Sequence, residues 1–260
     1  MELRKEKEIG HYDKKAEEWL TDKERVRGDF ERFAPLLLNS YKFCYDWLWR
    51  NCKNKIILDY GCGNGFHSVF LAKMGAEKVI GIDLSKKSLE IARERAGKEG
   101  REKKIEFILM DCEKMDFPDN TFDVIFDSGA FSSLDLRLAL PELSRVLKKD
   151  GFLIGIETLG HNPFANFKRK INRTIGKRTA WAASHIFKQE DLEKAKDYFG
   201  KVETKFFHLV SWMVFPFLNL PGGKFLLRII EKIDNFLLFA FPFLKKYCFK
   251  IVFVFSKPRK

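Results

Sequence analysis

The stretch from Lys55 to Phe66, with the sequence Lys-Ile-Ile-Leu-Asp-Tyr-Gly-Cys-Gly-Asn-Gly-Phe, decides the fold. Its first residues form a short apolar run with β-branched side chains, which predicts a buried parallel strand. Three glycines at alternate positions, Gly61, Gly63 and Gly65, then break the strand, and the segment from Ser68 to Ala72 is predicted to be helical. This order brings backbone N–H groups and the positive end of the helix dipole towards a bound ligand.

Two acidic residues indicate which ligand the glycine turn suits. The spacing Gly-x-Gly-x-Gly differs from the Gly-x-Gly-x-x-Gly of dinucleotide folds, and Asp59 stands two residues before the first glycine. A carboxylate there would repel a pyrophosphate but suits a cationic amino group. Asp83 ends the next apolar strand, at the position where doubly wound folds usually hold ribose hydroxyls. A ligand with both an amino acid end and a ribose is S-adenosylmethionine.

These segments resemble the motifs of the class I S-adenosylmethionine-dependent methyltransferases, specifically of a methyltransferase type 11-like domain. Leu58–Gly65 is similar to the first motif of that family and Gly81–Ser85 to the second. The similarity extends to about residue 158 and includes Asp111-Cys112 after the third strand, Thr121–Ile125 as the fourth, and Leu143–Lys148 before the fifth. Several motifs in order and at the family's spacing are much stronger evidence than a lone glycine triplet.

The resemblance implies an α/β fold: a Rossmann-like, doubly wound, seven-stranded sheet with an antiparallel last strand. It implies that the cofactor is S-adenosyl-L-methionine, that the adenine amino group donates a hydrogen bond to Asp111, and that no metal is required. The residues expected to bind the cofactor lie in the glycine turn and at the ends of the next strands: Asp59, Gly61, Cys62, Gly63, Asn64, Gly65, Asp83, Leu84, Asp111, Cys112 and Asp127.

Three residues are candidates for direct roles in catalysis. Methyl transfer is an in-line displacement, so a general base is needed only where the acceptor holds its proton tightly. His161 is the preferred base because it follows the fifth strand and an imidazole titrates near neutrality, although it can equally stabilise a turn. Asp127, after the fourth strand, either faces the reacting groups or caps the next turn. Tyr12 is either a lid residue above the methionine moiety or an ordinary packing aromatic. Glu157 is a weaker candidate base, and His67 is expected to be structural.

The chain divides into three predicted parts. Residues 1–50 form an N-terminal helical lid, and residues 51–210 with 247–260 form the cofactor-binding domain. Residues 211–246 are an apolar helical insertion between the last two strands. Prolines interrupt its apolar runs, and none reaches the roughly 20 residues that span a bilayer. A lid over an apolar substrate, a contact with a membrane surface and a satellite core packed on the main domain all remain open.

The chain has a formal net charge of +12 and a pI of about 9.4, which indicates an anionic partner such as a phosphorylated or carboxylated substrate, an anionic membrane or RNA. From His161 to Lys188 there are seven Lys or Arg and no Asp or Glu. A solvated surface usually mixes charges of both signs. Lys168, Arg169 and Arg173 are therefore expected to bind an anionic group of the substrate.

Five cysteines without a Cys-x-x-Cys pair argue against both a disulfide framework and a zinc knuckle. The charged first residues do not form a signal peptide, so we expect a cytoplasmic protein, with peripheral contact to the inner face of the membrane if the insertion binds lipid. A single glutamine, Gln189, beside many Lys and Glu indicates a thermophilic source.

Four functions are compatible with these features. The leading one is a methyltransferase for a small-molecule or lipid-linked acceptor, whose prenyl, acyl or quinone-like group contacts the insertion and whose phosphate or carboxylate contacts the basic segment. An RNA methyltransferase fits the charge but lacks a recognisable RNA-binding module. A non-catalytic cofactor-binding regulator would also retain the motifs. A nicotinamide oxidoreductase fits worst, because of Asp59 and the glycine spacing.

Overall fold

The structure, a computed structural model, describes residues 2–21, 38–174 and 179–260. The described helices are α1 (Leu3–Thr21), α2 (Asn39–Asn51), α3 (Phe66–Lys73), α4 (Lys86–Lys98), α5 (Leu136–Val146), α6 (Pro163–Thr174), α7 (Ala180–Ser184), α8 (Gln189–Tyr198) and α9 (Gly223–Ala240). The strands are β1 (Ile56–Tyr60), β2 (Lys78–Asp83), β3 (Ile105–Leu109), β4 (Phe122–Asp127), β5 (Leu147–Thr158), β6 (Phe199–Phe207) and β7 (Lys250–Pro258).

The strands form one seven-stranded sheet in the order β3-β2-β1-β4-β5-β7-β6. Strands β1 to β5 pair in parallel, and β7 runs antiparallel to both of its neighbours, β5 and β6. The predicted doubly wound sheet with an antiparallel last strand is therefore confirmed. Because the carboxyl ends of β1 to β5 share one edge of the sheet, residues that follow these strands meet there. We call this edge the ligand edge.

Both faces of the sheet are buried, which explains the near-continuous apolar strands. Leu58 of β1 belongs to a core cluster with α5, α8 and β7, whereas the adjacent Ile57 belongs to a second cluster with α2, α3 and α4. From the sequence alone, Ser85 is predicted to be the N-cap of α4. This prediction is confirmed, because Ser85 Oγ accepts the Ser88 N–H at 3.0 Å. Consecutive residues of one strand thus anchor helices on opposite sides.

From the sequence alone, Pro141 predicts a break in the helix before β5. This prediction is wrong, because α5 continues through Pro141. The helix begins at a defined cap, since the Asp135 carboxylate accepts the Arg137 N–H at 3.0 Å. A proline removes only one intrahelical hydrogen bond. Burial of Ala139, Leu140 and Leu143 in the core holds the remaining turns together.

The segment between β6 and β7 consists of a 3-10 turn over Ser211–Phe217, helix α9, and a second 3-10 turn over Pro242–Tyr247. A small cluster formed by Leu38, Val214, Leu218 and Leu227 packs it against the start of α2. Among the described residues, no helix has both the length and the apolar character that crossing a membrane requires.

Candidate active site

A cavity of about 310 Å³ lies at the ligand edge, under helix α1. Eight of the predicted cofactor-binding residues line it together: Gly61, Cys62, Gly63, Asn64, Asp83, Leu84, Asp111 and Cys112. They come from the ends of β1, β2 and β3, which the parallel topology places side by side. Ser128, Gly129 and Ala130, which follow β4, complete the wall.

The three glycines of the turn have different surroundings. All three have positive φ, with values of 67°, 51° and 70° for Gly61, Gly63 and Gly65. A Cβ on Gly65 would lie 2.7 Å from the Ala92 Cβ, and one on Gly61 equally close to the Ala130 Cβ. A Cβ on Gly63 would meet no described protein atom within 4 Å, although this residue lines the cavity. Gly63 thus leaves space for a ligand, whereas Gly61 and Gly65 allow close packing.

Asp83 is held in a fixed orientation at the cavity wall. Its Oδ2 accepts the Gly63 N–H at 2.9 Å, and its Oδ1 accepts the Ser85 N–H at 2.8 Å. Burial raises the pKa of Asp83, although the hydrogen bonds from Ser85 and Gly63 oppose that shift. Each carboxylate oxygen still has a second lone pair, so the group can accept hydrogen bonds from ligand hydroxyls.

Asp111 lies at the cavity wall and carries two hydrogen bonds. Its Oδ1 accepts the Glu113 N–H at 2.9 Å, and its Oδ2 accepts from Lys5 Nζ at 2.5 Å. The Glu113 carboxylate is buried. It accepts hydrogen bonds from both terminal nitrogens of Arg4, at 2.7 and 2.6 Å, and forms an ion pair with Lys5 Nζ at 2.8 Å. Burial raises the pKa of Glu113, but the hydrogen bonds from Arg4 and Lys5 outweigh it and hold the pKa below its usual value. Glu113 is therefore ionised at neutral pH.

Helix α1 lays one face on the cavity. Lys5, Ile9, Tyr12 and Ala16 line the cavity, and their spacing of three and four residues places them on one side of the helix. Tyr12 Oη lies 3.2 Å from Ser133 Oγ across the opening, so this predicted lid residue is at the cavity. The predicted contact of Tyr12 with the ligand stays a prediction.

Three of the predicted cofactor-binding residues lie behind the cavity wall. The buried Asp59 carboxylate accepts the Ser68 hydroxyl of α3, and burial raises its pKa to about 7. Asp127 Oδ1 accepts the Ala130 N–H at 3.0 Å, the capping arrangement expected as its alternative role. Burial, and secondly the neighbouring Glu157, raise the pKa of Asp127 well above its usual value. Gly65 is the third, at the start of α3. These residues shape the turns that line the cavity without lining it.

His161 does not line the cavity. Its Nε2 accepts the Gln189 N–H at 3.4 Å and lies 3.6 Å from Glu190 Oε2. The structure thus places it at the first turn of α8, because that helix begins beside the end of β5. The second candidate base, Glu157, is buried and accepts the Phe131 N–H at 2.8 Å. Neither side chain is positioned to take a proton from an acceptor in this cavity.

His67, expected from the sequence to be structural, does line the cavity. Its Nδ1 lies 2.6 Å from Tyr45 Oη, and its ring contacts Phe126 edge to face with centroids 5.2 Å apart. Burial lowers the pKa of His67 to about 3, so the imidazole is neutral at physiological pH. Its position directly after the glycine turn is the signal that could have identified it.

The predicted anion-binding residues lie only partly within the described structure. The side chains of Lys168 and Arg173 are outside the described part of the chain. Arg169 is only 7% exposed: its guanidinium donates to Asn166 Oδ1 at 2.7 Å and lies 5.9 Å from the Phe249 ring centroid. This side chain packs between α6 and the start of β7, and its predicted role in binding an anionic group of the substrate stays a prediction.

This geometry defines a doubly wound domain with a cavity for a ligand that carries hydroxyl and amino groups. The fit to S-adenosylmethionine rests on the carboxylate of Asp83, the open side of Gly63 and the carboxylate of Asp111, which come from three successive strand ends. In the ranges 2–21, 38–174 and 179–260, no group of three or more His, Cys, Asp or Glu is arranged to hold a metal ion.

The comparisons agree with this class. Residues 57–151 match the family model described as "Methyltransferase domain". The demethylmenaquinone methyltransferase of Bacteroides fragilis is 31% identical over 147 residues, covering 52% of this chain and 60% of that protein. The malonyl-[acyl-carrier protein] O-methyltransferase of Legionella pneumophila is 34% identical over 162 residues, covering 61% and 52%.

Among solved structures, the geranyl diphosphate C-methyltransferase of Streptomyces coelicolor A3(2), in complex with Mg²⁺, geranyl diphosphate and S-adenosyl-L-homocysteine, superimposes with a TM-score of 0.60 at 15% identity. That match covers 90% of this chain and 83% of the other, and at this identity it shows the fold alone. The chain spans less than two thirds of the length of these curated relatives. Residues 57–151 thus match a methyltransferase domain, the class of domain that the glycine turn and the acids at the strand ends also indicate.

Proposed function

We propose that this protein transfers a methyl group from S-adenosylmethionine to a small, anionic, lipid-like acceptor. The observation that carries the proposal is that eight residues predicted from cofactor motifs line one cavity, with Asp83 and Asp111 on neighbouring strand ends. In this proposal Asp83 accepts hydrogen bonds from the ribose hydroxyls, and Asp111 accepts one from the adenine amino group. The bound cofactor supplies a methyl group on a positively charged sulfur.

The protein's own contribution is to position the reactants and to exclude water. Helix α1 covers the cavity, and we propose that it acts as a lid, with Tyr12 over the methionine moiety. Apolar side chains, Ile9, Leu84, Ile91 and Leu134, line much of the remaining wall. Such a wall disfavours water near the sulfonium. Water there would otherwise compete with the substrate as a methyl acceptor.

The lining offers few groups that could act as a general base at neutral pH. His67 has a depressed pKa and is a weak base, whereas the carboxylates of Asp111 and Glu113 are engaged by Lys5 and Arg4. A base is unnecessary where the acceptor atom carries no tightly held proton. We therefore favour an acceptor that reaches the cavity already nucleophilic, such as a carboxylate oxygen or an ionised quinol.

Two further features support a lipid-like acceptor. The names of the matching relatives describe methylation of demethylmenaquinone and of a malonyl group on acyl carrier protein. In addition, the segment between β6 and β7 leaves the sheet at the ligand edge and exposes many large apolar side chains. An acceptor with an apolar tail and an anionic head matches the combination of this surface and the net charge of +12.

The test is to incubate the purified protein with methyl-labelled S-adenosylmethionine and a total lipid extract of the expression host. We expect label in the organic phase and formation of S-adenosylhomocysteine. The Asp83→Ala variant is the matched negative control. Total RNA from the same host serves as a competing substrate, because an RNA methyltransferase also fits the charge.

Label found only in RNA would replace the lipid proposal with the RNA alternative. Binding of S-adenosylhomocysteine without turnover on any extract would favour the non-catalytic regulator. Mass spectrometry of ligands that co-purify with the protein would identify both the adenosyl compound and the acceptor.

A further inference from the structure

Helix α9 exposes a stripe of large apolar side chains to solvent. Phe225, Leu226, Ile229, Ile233, Phe236 and Phe239 have exposed fractions between 41% and 85%. Their spacing of three and four residues places them on one side of the helix. We call this stripe the outer face of α9.

The opposite side of α9 packs on the domain. Leu227 and Leu238 are buried there, together with the carboxylates of Glu231 and Asp234. Glu231 Oε1 accepts the Asn39 N–H at 3.0 Å, and Asp234 accepts the N–H groups of Val210 and Ser211 at 2.9 and 3.1 Å. The acids of the helix therefore orient it: they accept hydrogen bonds from backbone N–H groups of the domain, while the phenylalanines point outward. An amphipathic helix on the surface of a globular protein usually buries its apolar side chains and exposes its acids, which is the reverse arrangement.

This orientation leaves the segment with an exposed surface of one charge sign. Glu231 and Asp234 are the only acids between residues 208 and 249, and both are buried. Its cationic residues are all exposed: Lys224, Arg228, Lys232, Lys245 and Lys246. Arg228 and Lys232 lie on α9 beside the outer face, so apolar and cationic side chains alternate along one surface. A satellite core, one of the alternatives for this segment, would bury the phenylalanines.

The segment that carries the outer face joins the sheet at the ligand edge. The segment leaves β6 at Phe207 and enters β7 at Lys250, and Lys250 pairs with both Phe207 and Thr158, the last residue of β5. Helix α6 follows β5 at the same edge and exposes Phe167 and Ile171, which are one helical turn apart. Exposed apolar residues of two elements therefore flank the edge that holds the cofactor cavity.

We propose that the outer face of α9 docks on the surface of a membrane that contains anionic lipid, with its phenylalanines at the acyl boundary and its lysines at the phosphates. An apolar stripe of this size marks an interaction site, and a row of Lys and Arg beside it fits anionic headgroups. A protein partner would need acidic groups throughout its contact surface, whereas a bilayer supplies apolar and anionic groups together. Docking would give the proposed lipid-like acceptor a route to the cavity. Only this route rests on the proposed function; the docking itself does not.

The test is flotation of the full chain with vesicles of phosphatidylcholine and phosphatidylglycerol, compared with vesicles of phosphatidylcholine alone. We expect the protein to float with the anionic vesicles, and less so at high salt. The double variant Phe236→Ser/Phe239→Ser should remain at the bottom of the gradient. Replacing Lys224, Arg228 and Lys232 by Gln should reduce partitioning by about fivefold for each cation removed.

The matched control is Trp49→Ser, which removes an exposed aromatic residue from the last turn of α2, the helix that leads into the amino end of β1. This variant should float like the unaltered protein. Binding of S-adenosylhomocysteine, measured by calorimetry, checks that every variant is folded, and it does not depend on turnover.

The proposal is wrong if the unaltered protein stays at the bottom with anionic vesicles, or if Phe236→Ser/Phe239→Ser floats equally well. It is also wrong if light scattering shows a lipid-free dimer that this double variant converts to a monomer, since the outer face would then be a contact between two copies. A protein that floats but methylates no lipid would retain the docking and overturn only the acceptor.

Discussion

Lys5 Nζ lies 2.5 Å from Asp111 Oδ2, and this ion pair joins the first turns of α1 to the residue at the cavity wall after β3. Arg4, the preceding residue of α1, makes a two-pronged contact with Glu113, two residues beyond Asp111. The helix that covers the cavity is thus attached to the same turn that we propose holds the adenine. Exchange of the cofactor then requires these pairs to open or to rearrange.

The first prediction concerns this attachment. Arg4→Met keeps the apolar stem of the side chain but removes two hydrogen bonds to the buried Glu113 carboxylate. Bonds to charged groups contribute about 1.5 to 3 kcal/mol, so opening of α1 should become about ten- to a hundredfold more frequent. Hydrogen exchange of α1 amides and the dissociation rate of S-adenosylhomocysteine measure this change.

The control for that variant is Arg137→Met. Arg137 also pairs with a carboxylate, that of Asp135, but its side chain is 81% exposed. Exposed ion pairs contribute little, so exchange and dissociation rates should stay the same. Equal rates for Arg4→Met and the unaltered protein would show that the Arg4–Glu113 pair does not hold the lid.

The second prediction is that Asp83→Ala weakens binding of S-adenosylhomocysteine by about 1.5 to 3 kcal/mol, because it removes the proposed acceptor for the ribose hydroxyls. Isothermal titration calorimetry measures the affinity. Asp123→Ala is a suitable control. The Asp123 carboxylate also accepts a backbone N–H, that of Ile56 at 2.9 Å, but it lies at the amino ends of the strands. Unchanged affinity in Asp83→Ala would remove the ribose assignment.

Most of the fold was predictable from local patterns in the sequence. The apolar runs and helical segments predicted the main elements, and the family resemblance implied their doubly wound sheet with an antiparallel last strand. The cap at Ser85 is a signal confined to a few residues. The orientation of α9 was not predictable in the same way. Its apolar residues extend around much of the helix. The buried side chains of Leu227 and Leu238, and the bonds of Glu231 and Asp234 to backbone N–H groups, determine which side faces solvent.

The site was predictable where it depends on strand ends and not where it depends on contacts between distant residues. Asp83 ends β2 and Asp111 lies two residues after the end of β3, so their meeting at one edge is a consequence of parallel topology. Lys5 meets Asp111 across 106 positions of sequence, and no local pattern predicts that pairing. His161 was misplaced because the position of α8, which begins beside it, depends on tertiary packing.

The third prediction separates two glycines of the turn. Gly63→Ala should cost only about 1 to 2 kcal/mol of stability, the cost of a positive φ for a residue with a Cβ, but should strongly reduce cofactor binding. Its Cβ would occupy space left for the ligand. Gly65→Ala should destabilise the fold more, because its Cβ would lie 2.7 Å from the Ala92 Cβ and 2.9 Å from Phe107 Cζ.

Thermal unfolding and calorimetry distinguish the two variants. The expected pattern is a folded Gly63→Ala protein with poor binding and a Gly65→Ala protein with a clearly lower melting temperature. If Gly63→Ala binds S-adenosylhomocysteine as tightly as the unaltered protein, the cofactor does not lie against this turn.

The fourth prediction concerns the buried carboxyl of Asp59. Burial raises its pKa from 3.8 to about 7, so the folded protein retains a proton that the unfolded chain has already released. Between these two values the folded state binds more protons, and the free energy of unfolding must therefore fall as the pH rises. With 1.36 kcal/mol per pKa unit, the contribution of Asp59 to this fall is on the order of 4 kcal/mol. Asp59→Asn keeps a group that can accept the Ser68 hydroxyl but does not titrate.

Urea denaturation of the free protein from pH 4 to pH 8 measures the effect. Below pH 7, the free energy of unfolding should fall more steeply with rising pH for the unaltered protein than for Asp59→Asn. Both proteins contain Asp83 and Asp127, so the contributions of these two groups should cancel in the difference between the two curves. Asp123→Asn is the control of opposite sign: hydrogen bonds from Ile56 and Lys148 outweigh burial and lower the pKa of Asp123. The ionised Asp123 carboxylate stabilises the folded protein above the ordinary pKa of an aspartate, and this stabilisation is lost as the pH falls. Asp123→Asn should therefore have a lower free energy of unfolding than the unaltered protein at neutral pH. Parallel curves for Asp59→Asn and the unaltered protein would mean that Asp59 is ionised in the folded state throughout.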